Sequence, residues 1–580
     1  MNYKYLLNII IQSINNNFDI KVTDSDFEIK MLVDSSKANI PYGDISSAVA
    51  LKYFRKLSYN SPQDLANDIK EILLNSEISN YINQINVENN AFINIFLTPK
   101  FYIDNLNDIL IEKNTYGSNK SGVGHKVLIE YSQPNIAKEF GVHHLRSTLI
   151  GNALVRAFQF EGYEVVTDTH YGDWGTQFGM IIWAIEKDNL DYKNFSLLDF
   201  ERVYVDANTT IKENPELRSE ALAAFSRLEK KDQNAFKIWQ TAIEISLKEY
   251  YIYYDLFNIK FDYEYGESYY LDIMPDVIQE CIDKGITRVE EGATIIPFED
   301  ENGEKLMPPI FLLKSDGATT YHTRDLATIK LRNTNSALTS EKYIYQVDVA
   351  QSLHFTQLFK AAEMLGWSNT DGLIHSKHGR VSLPEGKISS RKGNHPKLRK
   401  FLELVKEKVE SYYIENNKNI DQQTLQSLYV GAVKYYELRH APTTGYVFDI
   451  DEATDLNGNT SIYIQYTYAR ALSILQSSSI SIDINHFEEM QYPNIEGNIL
   501  ELHKLLANLH HNILKTVDEL APHTLVYYIF NICQLFNSLY NSEKFIGSDN
   551  EEYYLVLTKS TTIVIENIFE ILNIELPKKL

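Results

Sequence analysis

Apolar residues recur through the opening stretch YLLNIIIQSINNNF at Leu6, Leu7, Ile10 and Ile14, a single stripe at helical spacing between polar positions. The stretch is too short and too interrupted by polar residues to span a bilayer, and it lacks a small-residue cleavage site, so it reads as an amphipathic core helix. Strand-like runs such as NAFINIFLT share residues 1–118 with it, and the turn-rich YGSNKSGVGH closes that first, α+β domain. VLIEYS then reads as a buried strand, HHLRSTLIGNALVRAFQF as a helix with Leu145, Leu149, Leu154 and Phe158 on one stripe, and YEVVTDTH as a second strand after Gly162. Strand, helix and strand in this order predict a βαβ unit and hence a parallel sheet, the core of an α/β domain over 119–395. Within it, residues from about 181 to 275 are largely helical and charged, the signature of a helical insertion, before strand signals return at FLLKSDGATTYHT and YIYQVDVA. Over 396–580 helical spacing dominates, which predicts a C-terminal all-α bundle.

With 580 residues, 44% of them hydrophobic, the chain can bury several cores. The net charge of −23 argues against nonspecific coating of nucleic acid, while leaving room for a local basic stripe that docks a polyanion. Cys281 and Cys533 stand far apart with no metal-ligand spacing, so neither a disulfide framework nor a zinc site is expected, and a reducing cytoplasm fits.

The stretch SQPNIAKEFGVHHLRSTLIG leads from the first αβ strand through a proline-broken loop to a helix start. There, unpaired amides and the positive end of the helix dipole suit an anion such as phosphate. His143 and His144 fall in the first turn with Lys138 just upstream, able to donate charge-assisted hydrogen bonds, although paired histidines at a helix start commonly serve only as polar caps. A second cationic segment, GKISSRKGNHPKLRK, carries Lys387, Arg391 and Lys392 among serines and glycines without any period, and its ordinary reading is a solvated basic turn. No Gly-x-x-x-x-Gly-Lys-Ser/Thr loop occurs, so a bound nucleotide would have to be neutralised by these cations.

Taken together, PNIAKEFGVHHLRSTLIG, YGDWGTQFG, KSDGATTYHTRDLA and GKISSRKGN resemble the class I aminoacyl-tRNA synthetases, and within them the arginyl-tRNA synthetase family. YGDISSAVA and NAFINIFL are similar to that family's N-terminal domain, which meets the tRNA elbow. FDYEYGES resembles its catalytic insertion region and NGNTSIYIQYTYARA its helical anticodon-binding domain. The resemblance implies a Rossmann-like catalytic domain that activates L-arginine with ATP and transfers it to the 3′ end of its tRNA. It implies magnesium with the nucleotide, no prosthetic group and no resident metal, in a cytoplasmic monomer that does not engage membranes.

By the same resemblance Lys387 and Ser389 match the leading residues of the family's catalytic loop, and Lys392 or Lys138 restores a charge that the loop lacks here. Glu130, Ser132, Asn135, Tyr321, Asp325 and Gln351 match the arginine-binding positions, because a guanidinium, protonated in any protein, requires carboxylates placed for bidentate pairing. The ordinary alternatives are a structural salt bridge for Glu130, a core aromatic for Tyr321 and a helix cap for Gln351. Tyr321 and Asp325, four apart, share one face if their segment is helical. The ATP-binding positions are Gly141, His143, His144 and Lys387. Here the chain departs from the family, which has His, an apolar residue, Gly, His where this sequence reads Gly141, Val142, His143, His144. Only His144 matches; His143 either supplies the displaced imidazole or obstructs the adenine.

For RNA, Arg391, Lys392, Lys397, Arg399 and Lys400 form a basic segment, and Tyr463, Tyr466 and Tyr468 offer either base platforms or core packing. The competing functional readings are a catalytically impaired paralogue with a regulatory role, a nucleotidyltransferase acting on a small acid, and a purely RNA-binding protein. The nucleotidyltransferase has no use for the long helical C-terminal domain or the paired guanidinium carboxylates, and in the RNA-binding protein Lys387 to Lys392 would be only a phosphate clamp.

Overall fold

The computed structural model describes residues 3–29, 43–367, 371–382, 398–416, 419–482, 487 and 489–580. The opening helix Tyr3–Asn17 buries Leu6, Leu7, Ile10 and Ile14, the stripe expected from the sequence. It belongs to an N-terminal layer with an antiparallel sheet of order β1-β2-β4-β3, built from β1 (Phe27–Ile29), β2 (Ile45–Ser47), β3 (Ile82–Val87) and β4 (Ile93–Leu97). This layer is fastened to the C-terminal helices by buried polar contacts. Tyr116 Oη donates to the Leu506 carbonyl at 2.9 Å, Asn567 Nδ2 to the carbonyls of Lys113 and Tyr116 at 2.9 Å each, and Lys504 pairs with Asp44 at 3.0 Å.

The βαβ unit forms as expected. β5 (Lys126–Glu130), the helix Val142–Phe160 and β6 (Glu164–Asp168) are joined by β10 (Lys342–Asp348) and β11 (Leu373–His378) into an all-parallel sheet of order β11-β10-β5-β6. Leu145, Leu149, Leu154 and Phe158 are all buried, as are polar residues on other faces of the same helix, because it is enclosed between the sheet and the C-terminal helices. In the parallel register Glu130 stands beside Asp168, so two carboxylates meet at the carboxyl ends of adjacent strands, where open αβ sheets bind ligands.

The insertion contains the helices Leu197–Glu213, Arg218–Glu229, Gln233–Leu256 and Met274–Asp283. It is followed by an antiparallel sheet of β7 (Arg288–Glu290), β8 (Ala293–Glu299) and β9 (Lys305–Leu313). Glu291 and Gly292 both have positive φ between β7 and β8, the two-residue turn that suits a hairpin. The sequence reading is corrected at FLLKSDGATTYHT: the strand ends at Leu313, Gly317 turns the chain at φ +82°, and Thr320 caps a helix Tyr321–Thr334 by accepting from the His322 amide at 3.2 Å. Among the described residues from Leu398 onward the regular elements are helices apart from β13 (Tyr446–Val447), which pairs with β12 (Val381–Ser382) and ties the bundle to the parallel sheet's side of the molecule. No helix among the described residues is long and apolar enough to cross a membrane.

Candidate active site

The loop from β5 to the helix Val142–Phe160 is held in an unusual shape. Ser132, Gln133 and Ala137 have φ of +85°, +42° and +62°, the left-handed region that side chains with a Cβ rarely adopt. Such strain persists only where surroundings impose it, and it concentrates at functional sites. The insertion supplies the restraint: Tyr250 Oη donates to the Asn135 and Lys138 carbonyls at 2.6 and 2.7 Å, and Ser246 Oγ accepts from the Ala137 amide at 2.9 Å. YGDWG supplies more. The Ile136 amide donates to the Gly172 carbonyl and the Gly172 amide to the Pro134 carbonyl, both at 3.1 Å. A Cβ on Gly172 would lie 2.4 Å from Asn135 Oδ1. Gly172 is therefore bare because the Asn135 carboxamide lies against it, a packing role that the sequence left unassigned.

At the helix start, His144 is buried and its Nδ1 accepts from the Gly141 amide at 3.1 Å, which assigns the ring proton to Nε2 and makes that nitrogen the donor. The rings of His143 and His144 lie 3.8 Å apart, and His143 is exposed. Lys138 points elsewhere: its Nζ lies 5.0 Å from the Tyr204 ring of the insertion, and burial lowers its pKa against the opposing pull of Glu201. Lys387, Ser389 and Lys392, with Arg391 and Lys397, lie outside the described residues.

The remaining candidates converge on the helix Tyr321–Thr334. Its spacing puts Tyr321, Asp325, Thr328 and Arg332 on one stripe. Tyr321 is 54% exposed, its ring 5.1 Å from that of His354. His354 Nε2 meets Asp325 Oδ2 at 2.6 Å. Burial raises the Asp325 pKa, but the hydrogen bond and charge of His354, with the charges of His170 and Arg324, more than offset it and hold the carboxyl below the usual range. Two turns further along, the buried Arg332 grips Glu130 at 2.5 Å and Asp168 at 2.7 Å through one Nη2, beneath the Tyr345 ring. Burial pushes the Asp168 pKa up against the opposing charge of Arg332. The structural salt bridge weighed for Glu130 is thus present, and Gln133 Nε2 occupies its other oxygen at 3.0 Å.

Between these groups, His170 stacks on Tyr270 with rings 5.2 Å apart and interacts electrostatically with Asp168, Asp173, Glu267 and Asp325. Glu267 pairs with Arg324. Ser132 is buried and spent on Thr148 and Tyr254 at 2.8 and 2.9 Å, while Asn135 and Gln351 are exposed, Gln351 at the N-cap of the helix Ser352–Leu365 with no capping bond from its side chain.

Sequence reasoning missed Arg332, Asp168, His170 and His354. The spacing of seven from Asp325 to Arg332, and the acid ending each of two successive strands, are the signals that could have found the first two. Tyr463, Tyr466 and Tyr468 are engaged within the chain by Asn537, Tyr413 and Glu566, so the core-packing reading describes them. Arg399 and Lys400 pair with Glu249 and Glu403. Among the described residues no cluster of three His, Cys, Asp or Glu side chains could hold a metal ion.

Comparison with known proteins assembles these pieces. The family model of the class I tRNA synthetase (R) catalytic domain matches residues 105–450, the arginyl tRNA synthetase N-terminal domain 4–97, and the DALR anticodon-binding domain 464–580. An arginine–tRNA ligase of Clostridium botulinum, strain Loch Maree, is 33% identical across 100% of both chains, and one of Halothermothrix orenii is 33% identical over 88% of this chain and 90% of its own. The crystal structure of Plasmodium falciparum arginyl-tRNA synthetase superposes with a TM-score of 0.80 at 26% identity, covering 100% of this chain and 99% of its own. The Thermus thermophilus arginyl-tRNA synthetase shares the fold at 18% identity, with a TM-score of 0.79 and 100% of each chain covered.

Proposed function

This chain belongs to the arginyl-tRNA synthetase family, and from that premise we propose how its residues carry the reaction. It is an aminoacyl-tRNA ligase: arginine's carboxylate attacks the α-phosphate of ATP, pyrophosphate leaves, and the tRNA 3′-terminal ribose takes the arginyl group from the adenylate. The observation that carries the assignment of residues is a charge imbalance. Among the described residues Glu130, Asp168, Glu267 and Asp325 face two guanidinium groups, those of Arg324 and Arg332, so the carboxyl groups outnumber the permanent cations. A substrate guanidinium, permanently charged and forked, compensates the difference.

In this reading Asp325, oriented by His354, and Tyr321 take the guanidinium, with Glu130 as the second carboxylate held in place by Arg332. Asn135 and Gln351, both exposed at the mouth, take the amino-acid end, and Ser132 acts by fixing the strained loop. His143 and His144 at the helix start, with Lys387, Ser389 and Lys392 of the cationic loop, offset negative charge developing on the phosphoryl oxygens, the kind of preorganised stabilisation that dominates phosphoryl chemistry. Lys138, turned to Tyr204, is left out of this role. Gly141 lines the nucleotide seat. The described residues offer no cage for magnesium, so the ion expected with ATP would rest on the phosphates, as this cation commonly does. The protein acts as a monomer in the cytoplasm. Arginine-dependent exchange between ATP and pyrophosphate, run with and without tRNA, tests the reading. Exchange supported by arginine alone among the amino acids is the expected result, and exchange supported equally by lysine would refute it.

A further inference from the structure

Gly141 and His143 are two residues apart, and the structure places them in one another's space. A Cβ built on Gly141 would lie 2.5 Å from Cε1 and 2.6 Å from Nδ1 of the His143 ring, closer than real Cβ contacts come. The backbone at 141 has no need of glycine, since its φ of −91° and ψ of 160° suit any residue. What a side chain there would meet is the imidazole of His143, folded back over the N-cap of its own helix, which would have to swing away to admit it. The ring therefore projects from the place where a side chain at position 141 would begin, beside the His144 ring at 3.8 Å and within electrostatic reach of His378.

We propose that Gly141 and His143 are a matched exchange: the imidazole borne at 143 is delivered to the nucleotide from the side-chain position of residue 141, and the bare 141 exists to admit it. The inference rests on the functional reading above and deepens it. The order Gly-Val-His-His is then a rewired form of His-x-Gly-His rather than a damaged one. His143 is a catalytic residue that donates to a phosphoryl oxygen beside the Nε2–H of His144, and it does not block the adenine seat.

The test is a cycle of variants in arginine-dependent exchange with tRNA present, with thermal unfolding followed in parallel. His143→Ala is expected to lower kcat about ten- to a hundredfold, the loss of one charge-assisted donor in the transition state, with the KM for arginine and the melting temperature unchanged. Gly141→Ala, a single methyl that displaces the ring, is expected to fall by a similar factor, and the double variant no further. Gly141→His with His143→Gly, which moves the imidazole to 141, is expected to return to within a few-fold of the parent. The proposal is overturned if His143→Ala keeps the parental kcat or binds ATP more tightly, or if the relocated pair is no faster than His143→Ala. An inactive parent would refute the functional reading instead, so the two failures are distinguishable.

Discussion

Two buried arginines do opposite work with the same chemistry. Arg146, fully buried, joins the helix Val142–Phe160 to the C-terminal helix Gln422–Arg439. Its Nη1 reaches Glu437 at 2.9 Å, its Nη2 the carbonyls of Ala441, Pro442 and Thr444 at 2.9 to 3.0 Å, and the Tyr446 ring lies 4.9 Å away. Tyr446 Oη donates to the other Glu437 oxygen. Arg332 faces two carboxylates through a single nitrogen, and its Nε and Nη1, like Asp168 Oδ1, are buried without a hydrogen-bond partner. Most buried polar atoms in folded proteins are paired, so a shortfall calls for an explanation. Around Arg146 both terminal nitrogens find oxygens and only Nε is left without a partner, so the group acts as a fastener between domains. Around Arg332 one nitrogen serves two carboxyl groups and Asp168 Oδ1 is left as a buried acceptor, which a cationic donor completes.

The largest effect is expected where the ligand itself is the missing partner. Asp325→Ala should abolish arginine-dependent exchange, a loss of at least about a thousandfold, since a desolvated guanidinium deprived of its carboxylate forfeits several kcal/mol. Near-normal arginine affinity in that variant, measured by calorimetry, would sink the assignment. The fastener should fail differently. Arg146→Met leaves the Glu437 carboxylate buried and unpaired and should cost about 3–5 kcal/mol of stability, read by urea unfolding. Adding Glu437→Leu should recover much of that loss. No such rescue is expected at the site, where removing charge removes the reason for binding.

The contrast between fastener and site was only partly legible in the sequence. The βαβ unit and the buried stripe Leu145, Leu149, Leu154 and Phe158 follow from periodicity, because they depend on residues near one another in the chain; the shared face of Tyr321 and Asp325 followed only on condition of a helix, which the strand signal at FLLKSDGATTYHT obscured. Arg332 did not stand out in IKLRNT, where a cation on a helix reads as a solvated residue. Its burial depends on Glu130 and Asp168, 202 and 164 positions away, brought together by parallel strand register. The folding of His143 over Gly141 is likewise a rotamer choice that no spacing encodes. Of the β7–β9 sheet only the end of β9, in FLL, was read as strand, because its strands are largely exposed or irregularly buried, without clean alternation.

Acid should separate the two regions further. His503 and His510 lie in the seam between the N-terminal layer and the C-terminal helices, and burial pushes both down to about 3. Between that value and the unfolded value near 6.5 the unfolded chain holds more protons, so stability falls as pH falls. From pH 6.5 to 5 each histidine should account for about 2 kcal/mol of the loss. His503→Gln, which keeps a polar atom for the Tyr553 hydroxyl now 2.8 Å from the ring, should remove that share. An unchanged difference between urea unfolding at pH 6.5 and at pH 5 would contradict the linkage.

The smallest effect discriminates most finely between the two arginines. Arg332→Lys keeps the positive charge but replaces a rigid planar fork with a compact ammonium. Because Arg332 uses one nitrogen for both carboxylates, an ammonium can reproduce most of the attraction. What it cannot reproduce is the direction in which Glu130 is held. The expected result is a KM for arginine raised about tenfold, with kcat within a few-fold of the parent and the melting temperature shifted by a few degrees at most. Arg146→Lys should reverse the pattern: the four oxygens it bonds through two separated nitrogens need the fork, so stability should fall while the KM for arginine stays put. If both variants lose stability equally and neither moves the KM, Arg332 is a second fastener and Glu130 is a structural acid rather than one held ready for substrate.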